Sequence, residues 1–221
     1  MIRDALTVGA KELRLALRGR TGAAPVLALA GLLIVVLAFA FGPVPSSARV
    51  FAPGALWVTF FFAGELGLAN IFTLERENAT LEGFLLTPAD RLSLFLGKMV
   101  GGGSLLLAAE AVGVPVYLFV FGGLPHAEGV PLAGSLLLGD LGFLSVGILL
   151  SAISAQVRVG EALYPLLLFP VTVPVLLGAV ETTSAALGSR LTAPWWLLLV
   201  AYDVLFLGLA LILFDTAVEV V

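Results

Sequence analysis

Four carboxylates stand inside long apolar runs of this 221-residue chain: Glu65, Glu110, Asp140 and Asp203. A carboxylate placed in hydrocarbon costs about 2.5–3.5 kcal/mol on insertion scales and is a functional suspicion by default. Two readings are open for these acids. They form a proton or cation pathway, or they are satisfied by hydrogen bonds within a protein interior. The second is the plainer reading, above all for Asp140, which has Gly139 and Gly142 close by. Asp140 and Asp203 each lie nine residues into apolar runs that start near 131 and 194, so a shared depth is expected. No Lys or Arg is expected deep enough to pair with them.

Other chemistry is sparse. The chain has no cysteine, hence no disulfide, thiolate metal site or Cys nucleophile. Its single histidine, His126, excludes a multi-histidine metal site within the chain. It stands in the loop G-G-L-P-H-A-E-G-V-P, where a lone histidine reads first as a loop residue rather than a haem or metal ligand. There is no C-x-x-C-H haem attachment site and no serine in a nucleophile turn. No Gly-x-x-x-x-Gly-Lys-Ser/Thr exists, since Lys98 is followed by Met99. No catalytic residue and no metal site are therefore expected, and any ATP use belongs to another polypeptide.

The densest polar chemistry is a single island, Thr73–Arg91, in which ten of nineteen residues are charged or polar. It separates two long apolar runs and must emerge into water, because buried charges would cost several kcal/mol each. Leu81, Phe84 and Leu85 fall at i, i+3 and i+4, which predicts a short amphipathic helix started by Asn78 or Thr80 and ended by Thr87-Pro88. Its apolar knobs suit a groove on a partner, and Glu75, Arg76, Glu77 and Glu82 would set the register. An ordinary solvated connection is the alternative, and composition alone does not choose between them.

The elements that carry these residues follow from hydropathy. The chain is 60% hydrophobic and only 12% charged, with a mean hydropathy of +1.13. Too few polar side chains remain to cover a soluble fold of this size. An all-α membrane protein is predicted, one transmembrane domain over residues 1–221, with spans at about 23–42, 51–73, 92–121, 131–153, 161–181 and 194–214. The third is overlong and holds Pro115, so a kink, tilt or break is expected. The fifth holds Pro165, Pro170 and Pro174 around Thr172 and cannot form an ideal helix, which makes it the expected flexible element. Gly97, Gly101, Gly102, Gly103 and Ser104 form a small-residue run suited to close helix approach, within or between protomers.

Residues 2–20 divide into an apolar face with Ile2, Leu6, Gly9, Leu13 and Leu17 and an opposite face with Arg3, Thr7, Lys11, Arg14 and Arg18. That pattern predicts a basic amphipathic helix in the headgroup layer. Orientation follows from cation counts. With the amino terminus inside, nine Lys and Arg, Lys98 among them, fall on the inner side and only Arg49 and Arg190 outside. Both termini and the polar island are therefore expected in the cytoplasm. Trp57, Trp195 and Trp196 fall near outer boundaries and read as interface anchors.

Three patches in order, F-A-P-G-A-L-W-V at 51–58, T-L-E-G-F-L-L-T-P at 80–88 and L-L-F-P-V-T-V-P-V-L-L at 167–177, resemble the CcmB family of membrane permeases, haem exporter protein B. The resemblance covers nearly the whole chain. It implies an ABC-2-type permease fold with an amino-terminal elbow helix at 2–20, six spans and a cytoplasmic coupling helix at 78–87. It implies Glu75, Arg76, Glu77, Leu81, Glu82, Gly83, Phe84, Leu85 and Pro88 as ATPase-coupling residues. It further implies an inner-membrane location and assembly with a CcmA-like ATPase, CcmC-like and CcmD-like membrane proteins and a CcmE-like haem chaperone, with a permease homodimer in the complex. ATP would be bound by the partner, and haem would be cargo or chaperone-bound ligand. A permease for lipid or polysaccharide, an ion-coupled secondary carrier and a non-transporting scaffold remain alternatives.

Overall fold

The computed structural model describes residues 7–11, 14, 23–41, 45–69, 71–72, 91–120, 129–155, 160–188 and 193–219. Six long helices follow one another: α1 (Ala23–Phe41), α2 (Pro45–Ala69), α3 (Arg91–Val120), α4 (Gly129–Ala155), α5 (Gly160–Ala186) and α6 (Ala193–Glu219). All six are long and apolar enough to cross a membrane. Helices suit these runs because hydrocarbon offers no partner for a backbone N–H or C=O, and a helix satisfies both within itself.

The helix ends differ from the hydropathy boundaries where local chemistry favours it. α2 begins at Pro45, six residues before its apolar run, since proline is preorganised for the first turn of a helix. It stops at Ala69, short of residue 73. α3 continues through Pro115 over 30 residues rather than breaking there. α5 is likewise unbroken, with Pro165, Pro170 and Pro174 all inside it. It ends on Gly188, whose φ of 99° is left-handed, while the Gly188 N–H donates to Ala185 O at 3.0 Å.

α4 is the most enclosed helix. It packs against α5, α6, α3 and α2, while α1 lies on the outside against α2 and α3. Small residues let its neighbours approach. A Cβ on Gly139 would overlap the Trp57 ring, and one on Gly142 would come within 2.6 Å of Asp203 Oδ1. The main core joins Phe61, Leu68, Phe95, Phe143, Ile148, Leu168, Leu199 and Phe214 from five helices. A second cluster seats α1 through Val26 and Ala30 against Leu56, Phe60 and Ala109.

The small-residue run in α3 serves contacts within the chain. Residues 7–11 are helical, and Val8 fills the space over Gly97 while Gly9 faces Val100. Thr7, Lys11 and Arg14 are exposed and Gly9 is buried, in accord with the two predicted faces. The rest of the 2–20 stretch lies outside the described residues.

Candidate functional site

The nine coupling residues, Glu75, Arg76, Glu77, Leu81, Glu82, Gly83, Phe84, Leu85 and Pro88, lie outside the described residues, as does His126. The residues that bracket the island are described, and they converge. Phe72 stacks toward Phe214 of α6, with ring centroids 6.4 Å apart. Arg91 Nη1, on the first residue of α3, sits 3.1 Å from Asp215 Oδ1 of α6. Entry to and exit from the island thus meet α6 at two consecutive residues.

The carbonyls at the end of α2 have no successors in the helix and need donors from elsewhere. Three groups supply them. The Ile71 N–H donates to Leu68 O at 3.1 Å, Ser151 Oγ of α4 donates to the same oxygen at 3.0 Å, and Lys98 Nζ of α3 donates to Ile71 O at 2.6 Å. The ammonium also lies 4.9 Å from the Phe72 ring centroid, and Lys98 has 0% of its surface exposed. This corrects the count of Lys98 as a loop cation: it is a buried residue joining α2 to α3. A lysine seven residues into the apolar run that starts at 92 was the available signal.

The intramembrane acids occupy a common level. Glu110 lies ten residues from the end of α3 at Val120, and Asp140 eleven from the start of α4 at Gly129. Asp203 lies ten from the start of α6 at Ala193. At 1.5 Å per residue this is about 15–17 Å from one face, near the middle of ~30 Å of hydrocarbon. Counted from the helix ends, Glu110 falls at nearly the same distance as the Asp140 and Asp203 expected to share a depth. Glu110 is carried by α3 and Asp140 by α4, and Asp203 of α6 packs over Gly142 of α4. Glu110, Asp140 and Asp203 are all buried. Glu110 Oε1 and both Asp203 oxygens accept no hydrogen bond from the described residues. Glu65 stands apart, half-buried on α2 beside Tyr164 of α5.

Two polar clasps hold α5. Tyr202 of α6 donates its hydroxyl to Val171 O at 2.9 Å, in the turn between Pro170 and Pro174. Buried Thr172 donates to Leu168 O at 2.8 Å. Nearer the other end, the Trp57 indole N–H donates to Thr183 Oγ1 at 2.9 Å, and Thr183 Oγ1 donates to Ser135 Oγ at 3.1 Å. Trp57 is therefore a core residue, 3% exposed, and not an interface anchor. Gly139, which clears the space for the ring, could have suggested this only with the helix register known. Among the described residues no group of three or more His, Cys, Asp or Glu could hold a metal ion.

Six apolar helices, the fourth enclosed by its neighbours, define a multi-pass all-α membrane protein. The chain belongs to the CcmB family, described as CcmB protein, which matches residues 3–221. It is 29% identical to "Heme exporter protein B" of Pseudomonas aeruginosa over 184 residues, 81% of this chain and 82% of that protein. Proteins of the same name from Paracoccus denitrificans and Rhodobacter capsulatus are 30% and 32% identical, each over 77% of this chain and 78% of the relative.

Proposed function

We propose that this chain is the membrane permease subunit of a haem exporter in cytochrome c biogenesis, not itself an enzyme. It couples ATP hydrolysis by a separate CcmA-like ATPase to haem export or to release of a haem-loaded chaperone outside the inner membrane. The observation that carries this reading is the convergence of Phe72 and Arg91 on Phe214 and Asp215, which gives a force on residues 73–90 a rigid seat in the bundle. Both termini lie in the cytoplasm, and CcmC-like, CcmD-like and CcmE-like proteins complete the assembly. A second copy covers the α2–α5 face, where exposed Phe62 and Phe169 lie 5.9 Å apart beside half-buried Glu65.

Charge reversal at Glu82 and Gly83→Pro test the reading by pull-down of the ATPase from membranes. Both variants should insert normally and lose the ATPase. Undiminished pull-down by both overturns the coupling role. The level of Glu110, Asp140 and Asp203 favours a second reading, an ion-coupled carrier. Transport by the purified chain under a pH gradient, with no ATPase present, would establish that one instead.

A further inference from the structure

We propose that Lys98 is a positioning residue that makes the end of α2 move as one body with α3 and α4. This proposal rests on the ATPase-coupled reading above. Ile71 and Phe72 directly precede the island that begins at Thr73, so a displacement of the island arrives there first. The carbonyl of Ile71 is held by Lys98 of α3 and that of Leu68 by Ser151 of α4. Both donors come from helices other than α2; one bond ends on the last turn of α2 and the other on the turn that directly follows it. Movement of this segment must drag α3 and α4 with it or break two hydrogen bonds, one buried and one part-buried.

Packing alone does not account for a lysine at this place. Its side chain is wholly buried, and its ammonium is withdrawn from water at substantial cost. A methionine fills nearly the same volume without that cost. What methionine cannot do is donate to Ile71 O or sit as a cation over the Phe72 ring. Those contacts tie the end of α2 to α3, and Glu110 lies further along the same α3. The two helices that the latch drives also carry the buried acids Glu110 and Asp140.

The test uses Lys98→Met, Lys98→Arg and Ser151→Ala in the assembled complex in lipid nanodiscs. Its readouts are ATPase co-purification, ATP turnover, holocytochrome c formation in cells, and hydrogen exchange at residues 66–72. Lys98→Met should keep the ATPase bound and turn over ATP within about twofold of wild type, while cytochrome c output falls roughly tenfold and exchange at 66–72 quickens. Lys98→Arg should restore output to within about threefold, because the guanidinium also donates and also lies over a ring. Ser151→Ala should be intermediate. Unchanged output and exchange in Lys98→Met overturn the proposal. So does loss of the chain from the membrane in both Lys98 variants, which is a folding role only. If the wild-type complex retains no ATPase, the functional reading fails, and the exchange result still decides whether the latch exists.

Discussion

Gly139 of α4 lies directly beneath the indole of Trp57 of α2, so close that a methyl group on the glycine would overlap the ring. The indole N–H then reaches Thr183 of α5 at 2.9 Å. One missing side chain thus lets three helices share a hydrogen bond inside a membrane bundle. Gly139→Ala should cost roughly 1–3 kcal/mol through overpacking. Trp57→Phe removes the ring atoms that would collide and should cost less in the Gly139→Ala background than in wild type. A double-mutant cycle by denaturant titration in detergent checks this, and strict additivity would contradict the contact.

The ion pair between Arg91 and Asp215 is a weaker matter for stability. Its side chains are 26% and 64% exposed, so solvent screens the attraction and the pair contributes about 0–1 kcal/mol. Arg91→Gln should leave the melting temperature within a few degrees of wild type. If the pair seats the returning island, its effect appears in output instead. Cytochrome c formation should fall with Arg91→Glu and recover in part with Arg91→Glu combined with Asp215→Arg.

Asp203 packs against Gly142 with neither oxygen accepting a hydrogen bond from the described residues. A neutral amide of the same shape should therefore be tolerated. Asp203→Asn should change stability by less than about 1 kcal/mol, whereas Asp203→Lys should prevent accumulation in the membrane. Under the ATP-driven reading, Asp203→Asn also preserves cytochrome c formation. Under the ion-coupled reading it abolishes transport, so the same variant separates the two.

The spans were legible because about 20 apolar residues in a row have few alternatives to a membrane helix. Their ends were less so. α2 starts at Pro45 and α5 runs on to Ala186, past the apolar runs, because helix ends follow caps and prolines rather than hydropathy. The shared depth of Asp140 and Asp203 could be counted along the chain. That Asp203 meets Gly142 could not, since it depends on how antiparallel helices register. Lys98 and Trp57 were misread for one reason. Rules for cations at loop ends and indoles at interfaces describe averages, and both residues have a particular partner in the core that overrides them.

The prolines of α5 give the last prediction. Each removes a backbone donor, and Pro170 and Pro174 do so on the exposed side of one helix, around buried Thr172. Tyr202 donates to Val171 O between them, so α6 holds the weakened turn from outside. Pro174→Ala restores a donor for Pro170 O and should stabilise the fold by up to about 3 kcal/mol. Tyr202→Phe removes the clasp and should cost about 1 kcal/mol. If the weakened turn is what bends during the export cycle, the more stable Pro174→Ala variant should be the less active one. Melting temperature should then rise while cytochrome c formation falls, with ATPase retained. A rise in both would mean that α5 works as a rigid element, and that any bending occurs elsewhere in the bundle.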